Sequence, residues 1–353
     1  MSLSIGIVGL PNVGKSTLFT ALTKQSGLAA NYPFATIDPN VGVVDVHDER
    51  LDRLAKIVHP ARIVPASVEF VDIAGLVKGA NTGEGLGNQF LANIRQCDAI
   101  CEVVRYFKDP EVIHVDGRVD PLSDVDTIQT ELILADLATL ERAIPKLEKE
   151  AKRAKENAPR LAIARRLQDW LNTGKRALLM PMTDDEKAAA HDLFLLTLKP
   201  LLYVANCDED QLHEEITIDS TPAIALCAQV EAELSELDEA DAQEYLSSLG
   251  LAHSGLDTLV QAAYKLLGLQ SFFTAGPKEV RAWTVAIGAC APQAAGVIHS
   301  DFERGFIKAE TISYSDYIAC GGEQAARDKG KLRMEGKDYV VQDGDIMVFR
   351  FNV

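Results

Sequence analysis

Six short apolar runs punctuate the chain, at residues 4–8, 41–46, 67–73, 98–104, 201–205 and 223–228, and each soon gives way to glycine, proline or polar residues. Runs of that length bounded by turn signals read as buried strands. Between them, residues 16–22, 48–58 and 256–267 carry helical spacing, the last as an amphipathic helix that closes a sheet. Strand, loop and helix repeating in this order predict an α/β, doubly wound architecture with a parallel sheet.

A different pattern interrupts it. Ile133, Leu137, Leu140, Ile144, Leu147, Ala151 and Ala154 are spaced 4, 3, 4, 3, 4, 3, a heptad seam that predicts one long helix. Pro145 lies inside it and is expected to kink or break the helix. Pro159 marks a turn, and Leu161, Ala164, Leu167 and Leu171 make a second seam on a return helix ending near Gly174. The two form an inserted antiparallel helical hairpin. Thr183 followed by Glu186 is a capping box that opens a further helix, expected to run to Leu198. Residues 231–249 read as one acidic helical stretch. From about residue 272, apolar runs at 280–285, 339–341 and 345–351 predict strands of a compact α+β module of about 75 residues. The expected organisation is therefore residues 1–125 with 199–272 as a discontinuous nucleotide-binding part, 126–198 as the helical insertion, and 273–353 as a C-terminal domain.

The candidate chemistry begins right after the first strand. Gly9-Leu10-Pro11-Asn12-Val13-Gly14-Lys15-Ser16 matches G-x-x-x-x-G-K-[ST] at every specified position. A glycine loop between a strand and a helix aims backbone N–H groups and the positive end of the helix at phosphate. Asn12, Val13 and Gly14 would line this cradle, Lys15 would reach the β- and γ-phosphates, Ser16 would offer its hydroxyl to Mg²⁺, and Thr17 falls near the α-phosphate. Asp72 and Gly75 form a D-x-x-G at a strand end, the second half of an NTPase magnesium site, with Asp72 on Mg²⁺ and the Gly75 amide on the γ-phosphate. Five glycines between 75 and 87 make residues 75–90 a candidate switch that orders around the γ-phosphate. His114 stands alone in Val-Ile-His-Val, and by itself reads as a structural histidine.

Composition adds limits. At 353 residues, 47% hydrophobic and 25% charged, the chain has the make-up of a globular protein of two or three domains. No apolar run is long enough to span a bilayer and nothing reads as a signal peptide, so a cytoplasmic protein is expected. Six widely spaced cysteines without a CxxC pair argue against structural zinc and against a disulfide framework. The net charge of −17 argues against a general nucleic-acid coat. Residues 145–176 nevertheless hold ten Lys/Arg against four acidic residues, a local +6 on a remainder of −23. That limb is a candidate RNA-facing surface or simply a solvated helix face. Arg327, Lys329, Lys331, Arg333 and Lys337 make a second basic cluster.

The base is addressed by Asn206-Cys207-Asp208-Glu209. GTP-binding proteins of this layout carry N-K-x-D there, the aspartate accepting from guanine N1–H and the 2-amino group. Here Cys207 replaces the lysine and Glu209 the aspartate, so the guanine reading is weakened twice, although Glu209 or the adjacent Asp208 could still reach guanine.

With GLPNVGKSTLF (9–19), YPFATIDPN (32–40), FVDIAGLVKGA (70–80), GEGLGNQFLANIR (83–95), YVANCDED (203–210) and EGKDYVVQDGDIMVFRFNV (335–353), the chain resembles the ribosome-binding bacterial members of the Obg-like ATPase family along essentially its whole length. The resemblance implies a P-loop NTPase domain with the hairpin insertion and a C-terminal TGS domain, ATP preferred over GTP, and hydrolysis that is slow alone. It also implies contact with the ribosome and its subunits, rRNA and ribosomal proteins, for which the basic hairpin and the TGS domain are the expected elements. It makes Thr36 a second Mg²⁺ ligand and His114 the catalytic candidate, because Leu76 stands where Ras-like proteins carry the water-orienting Gln. By analogy with some related NTPases, Asn12 could hold a K⁺ ion. A membrane partner is not expected, and a monomer is. Two other readings are a GTPase of the Obg type on ribosomal particles and a non-enzymatic scaffold with a structural nucleotide, the latter opposed by the intact Lys15, Ser16 and Asp72.

Overall fold

The computed structural model describes residues 3–25, 40–73, 85–114 and 117–352. In chain order the elements are β1 (Ser4–Val8), α1 (Lys15–Gln25), β2 (Val41–Val46), α2 (Glu49–Val58), β3 (Ile63–Val64), β4 (Ala66–Asp72), α3 (Gly85–Gln96) and β5 (Ala99–Arg105). They continue with α4 (Pro121–Arg153), α5 (Ala158–Leu171), α6 (Asp184–His191), β6 (Leu201–Asn206), β7 (Thr217–Ile218), β8 (Thr221–Pro222), β9 (Ile224–Leu226), α7 (Ala228–Leu234), α8 (Glu239–Ser248) and α9 (Gly255–Leu266). The last part holds β10 (Leu269–Ala275), β11 (Val280–Ala286), α10 (Ala291–Ile298), α11 (Ser300–Arg304), β12 (Phe306–Ile312), α12 (Tyr314–Cys320), α13 (Glu323–Asp328), β13 (Arg333–Glu335) and β14 (Ile346–Phe351). Two compact units result, residues 1–42 with 69–259, and residues 43–68 with 260–353. The division falls inside β2 and β4.

The six-stranded sheet of the nucleotide-type fold has the order β2-β4-β1-β5-β6-β9. The pairs β4–β1, β1–β5, β5–β6 and β6–β9 are all parallel. The chain leaves β1 toward one side, for β4, and returns to its other side for β5. The order therefore reverses at β1, and the crevice beyond its carboxyl end is where open α/β sheets bind ligands. β5 is buried along its entire length, as a central strand covered on both faces must be.

The helical insertion keeps its heptad logic. Ile133, Leu140 and Leu147 of α4 pack with Ile163, Ala164, Leu167 and Leu171 of α5 in one core, with Leu137 and Ile144 against it. The expected break at Pro145 does not occur: α4 runs unbroken for 33 residues. Pro145 is on an exposed face, where water can satisfy the carbonyl that loses its N–H partner. The third helix is shorter than its spacing predicts. The Thr183–Glu186 capping box is present, but α6 stops at His191, and only a 3₁₀ turn follows at Leu196–Leu198. Phe194 takes a left-handed φ of 50°, which no helix can pass through. The acidic stretch 231–249 likewise divides into α7 and α8, restarted by Asp238, whose side chain accepts from the N–H groups of Ala240 and Asp241.

The second unit has its own mixed sheet, β13-β12-β14-β10-β11-β3. β10 pairs antiparallel with β11 and parallel with β14, while β12 lies antiparallel to both β13 and β14. Residues 339–341, expected as a strand, contribute only a single bridge between Val340 and Cys290. β3 was invisible to periodicity, and it joins this sheet through parallel pairing with β11. Phe272, Val285, Phe306, Met347 and Phe349 form its core under α10. No helix among the described residues is long and apolar enough to cross a membrane.

Candidate functional site

The loop after β1 turns tightly because two positions tolerate no side chain. A Cβ on Gly9 would sit 2.6 Å from the Val103 carbonyl oxygen, and one on Gly14, whose φ is +94°, would sit 2.2 Å from Asn206 Nδ2. Asn12 also takes a left-handed φ, of 63°, a conformation Asn accepts more readily than most residues. The Leu18 N–H then bonds the Gly14 carbonyl at 3.0 Å, and α1 begins at Lys15.

Asn206 braces this loop from the end of β6. Its Nδ2 donates to the Val13 carbonyl at 2.9 Å, and its Oδ1 accepts from the Ala228 N–H at 2.9 Å. One buried amide thus ties the phosphate-type loop to the start of α7. Asn12 Nδ2 donates to the Ile113 carbonyl at 3.1 Å, which brings the backbone just before His114 to the same loop. Asp72 arrives through the sheet, since it is the register partner of Ile7.

Lys15 and Asp72 set the electrostatics of the loop. Lys15 is buried, which lowers its pKa, while the nearby Asp72 charge opposes that shift. Asp72 Oδ1 is buried with no hydrogen-bond partner among the described residues. Ser16 and Thr17 are exposed, and their hydroxyls take part in no hydrogen bond among those residues. An orphaned carboxylate oxygen and an exposed serine hydroxyl are all-oxygen donors of the kind that suit a hard divalent cation such as Mg²⁺. Thr36, Gly75 and Leu76, with residues 75–84 of the expected 75–90 switch and residues 32–39, lie outside the described residues, while residues 85–90 open α3.

His114 is buried, and its Nε2 is 2.9 Å from Asp124 Oδ2, at the start of α4. The loop carrying it is organised by Arg105, which periodicity did not single out. Arg105 is fully buried and donates to the carbonyls of Phe107 (3.3 Å), Val112 (3.0 Å) and Asp109 (3.0 Å). Next to this lies a second buried acid, Glu102, at 0% exposure. Its Oε2 is at the outer limit of a hydrogen bond from Gln129 Nε2, 3.5 Å, and its Oε1 has no partner among the described residues. Burial pushes Glu102 up to about 8, with Arg176 opposing and Asp124 adding to the rise. Two charged residues inside an otherwise apolar strand, Glu102 and Arg105, were the available sequence signal for this polar core.

At the base-reading corner, Asp208 is already committed. Its carboxylate accepts from the Lys108 N–H at 3.1 Å and from the Gln211 backbone N–H in a capping box. Cys207 is buried, with Sγ on the Leu226 carbonyl, so it does not offer the flat aliphatic cover that a lysine stem would. Glu209 is exposed at the first position of a short 3₁₀ turn.

Two family models match the chain. One, described as "50S ribosome-binding GTPase", covers residues 4–140. The other, YchF-GTPase_C, described as "Protein of unknown function (DUF933)", covers residues 269–352. Among curated proteins, the Ribosome-binding ATPase YchF of Escherichia coli O157:H7 is 53% identical over 363 aligned residues, with 100% of both chains covered. That of Bacillus subtilis is 50% identical over 366, also with 100% of both covered. The solved structure of the Schizosaccharomyces pombe YchF GTPase superposes with a TM-score of 0.90 at 39% identity, covering 99% of this chain and 98% of its own. With about half of its residues identical to these relatives along the full length of both chains, and with a fold that superposes over nearly all of the solved one, the chain belongs to the YchF family.

Proposed function

We propose that this chain is a ribosome-binding ATPase that hydrolyses ATP with Mg²⁺ and uses the nucleotide as a switch. The full-length identity to proteins named Ribosome-binding ATPase supports both halves of that reading. The substrate phosphates are held by the loop amides of Asn12, Val13 and Gly14, with Lys15 on the β- and γ-phosphates and Thr17 near the α-phosphate. Ser16, Asp72 and Thr36 hold Mg²⁺, which supplies charge neutralisation at the phosphates. Gly75 senses the γ-phosphate. Asn206 and Glu209 form the base-reading corner.

The base preference rests on one observation, the commitment of Asp208 to two backbone N–H groups. A carboxylate so engaged is not available to accept from guanine, and the other acids at that turn, Glu209 and Asp210, are exposed to solvent. ATP is therefore the preferred substrate. A GTPase is the second reading, favoured by the names of the fission-yeast structure and of the N-terminal family model. Calorimetric titration of ATP and of GTP in the presence of Mg²⁺ separates them: tighter ATP binding is expected, and tighter GTP binding would make Glu209 or Asp208 a guanine reader.

His114 is the residue we assign to hydrolysis. Its imidazole is turned to Asp124 and nearly enclosed, so acting on a water at the γ-phosphate requires the loop that Arg105 organises to shift when nucleotide binds. Asn12 is the K⁺ candidate, and turnover that is equal in Na⁺ and K⁺ buffers would remove that role. The ribosome is contacted through the hairpin at 126–198 and the C-terminal TGS-type unit, by a monomer in the cytoplasm.

A further inference from the structure

Resting on the assignment of hydrolysis to His114, the structure adds a second residue to that step. We propose that Asp124 is the positioning residue for the His114 imidazole: it fixes which ring nitrogen takes the proton of the attacking water, and it is the pivot on which the ring turns. His114 Nε2 lies 2.9 Å from Asp124 Oδ2, and both side chains are buried. The two partners sit on unlike supports. Asp124 is in the first turn of α4, whose N-cap Asp120 accepts from the Ser123 N–H. Its neighbour Val125 is in the core with Val104, Tyr203 and Ala205. A carboxylate on a packed helix end stays where the core puts it. His114 belongs to the connection from β5 to α4, whose described residues form neither helix nor strand.

What the contact contributes is orientation, because the backbone of this connection is held without it. The Arg105 guanidinium donates to the carbonyls of Phe107, Asp109 and Val112. Asn12 Nδ2 donates to that of Ile113, and the His114 carbonyl accepts from the Gly117 N–H at 3.0 Å. These bonds fix the chain and not the ring. The bond from Nε2 to Oδ2 acts on the ring itself. Glu102, within Coulomb range of Asp124, holds its proton near neutral pH because burial pushes it up to about 8, so it does not compete for the imidazole.

The chemistry of the pair sets the tautomer. Asp124 as a carboxylate only accepts, so in the neutral ring Nε2 carries the proton and Nδ1 is the basic nitrogen. In the reaction the water oxygen bonds the γ-phosphorus while the bond from that phosphorus to the β–γ bridging oxygen breaks. The water proton passes to Nδ1, and ADP departs with the bridging electron pair. The imidazolium so formed is stabilised by the Asp124 charge until its proton returns to the released phosphate. The loop shift that hydrolysis requires then turns the ring about the Nε2–Oδ2 bond without breaking it, and carries Nδ1 toward the glycine loop that Asn12 joins to Ile113.

The test compares the full chain with His114→Ala, Asp124→Asn and the double variant, measuring ATP turnover, the ATP dissociation constant and the thermal midpoint of each. Asn keeps the shape of Asp124 and removes its charge. Asp124→Asn should lower kcat by about 10-fold or more with ATP binding within about twofold of wild type. Added to His114→Ala, it should change kcat by less than about twofold, because a residue that acts through His114 then has nothing to act on. Losses that multiply in the double variant, or a loss of ATP affinity that matches the fall in kcat, would make Asp124 structural and overturn the inference. Unchanged or faster turnover in Asp124→Asn beside a slow His114→Ala would also overturn it, the contact then being idle or a restraint, and would leave His114 in its role. A wild-type rate in His114→Ala would instead overturn the assignment of His114. Should Asp124→Asn fail to fold, the tautomer decides. Imidazole nitrogen NMR spectra of the unmutated chain, with the His114 signals identified by their absence from His114→Ala, should show a neutral ring protonated at Nε2, and a neutral ring protonated at Nδ1 would overturn the inference.

Discussion

Lys15 and Asp72 are the pair to which we assign the nucleotide chemistry. Burial weakens the hold of Lys15 on its proton, and Asp72 partly restores it; nucleotide phosphates would restore it further. Lys15→Ala is expected to lower ATP turnover at least 10²-fold and to weaken nucleotide binding, and near-normal turnover in a malachite-green assay would remove Lys15 from the site. His114 is a sharper case, since a buried imidazole on a buried carboxylate is also what a structural histidine looks like. His114→Ala is expected to leave the ATP dissociation constant within about twofold while kcat falls about 10²-fold or more, and a parallel loss of binding and thermal midpoint would make it structural. Glu102 predicts a pH effect with a definite sign. Its folded-state value of about 8 lies above the ordinary 4.5, so the folded chain holds this proton more tightly than the unfolded one. Stability from this group is full below about 4.5, declines as pH rises toward about 8, and loses nothing further beyond that. The thermal midpoint of Glu102→Gln should therefore gain on wild type by about 2–4 °C between pH 5 and pH 8.5, and a difference that stays constant with pH would mean that Glu102 is ionised throughout.

Elements depend on polar ties that hydropathy does not reveal. Asp136, at 0% exposure in the middle of α4, accepts from the Leu196 N–H at 2.8 Å, the Thr197 N–H at 2.8 Å and the Thr197 hydroxyl at 2.7 Å. It thereby fixes the turn that leads from the hairpin back into β6. Three donors to one carboxylate offset the burial that raises its pKa. Asp136→Ala would strand two buried N–H groups and is expected to cost about 3 kcal/mol, read as a lower urea midpoint; a loss under about 1 kcal/mol would show that water takes over the tie. The same turn explains the short α6. Leu193 and Leu195 are both buried, and a helix continuing from His191 could not point both inward at that spacing. The left-handed Phe194 reverses the chain between them and is itself left 69% exposed. Glu231 plays a comparable part for α9, its Oε1 accepting from the Gly255 N–H at 2.7 Å, where a carboxylate also meets the positive end of the helix.

Across the whole molecule, Asp45, Glu231 and Glu102 are all raised by burial, to about 6, about 7 and about 8. Each is a proton held more tightly by the folded chain, so stability should decline through the window from about pH 4.5 to pH 8. Lys15 and Lys199, lowered by burial from the ordinary 10.5, work in the opposite sense. The thermal midpoint is expected to be a few degrees higher at pH 6 than at pH 8.5, and a midpoint that rises across that interval would contradict the buried-acid account. Strand runs, the glycine loop with Asp72, and the heptad seams were legible in the sequence alone, because each is a local period or a short motif whose spacing is itself the signal. The tertiary structure decided what distant segments do to one another. It joined Asn206 to Val13 across 193 residues, set His114 on Asp124, and paired residues 63–64 with β11. It also engaged the Asp208 carboxylate with the N–H groups of Lys108 and Gln211. None of these leaves a periodic trace, since burial, desolvation and hydrogen-bond partners depend on which residues meet in space and not on the residues beside them in the chain.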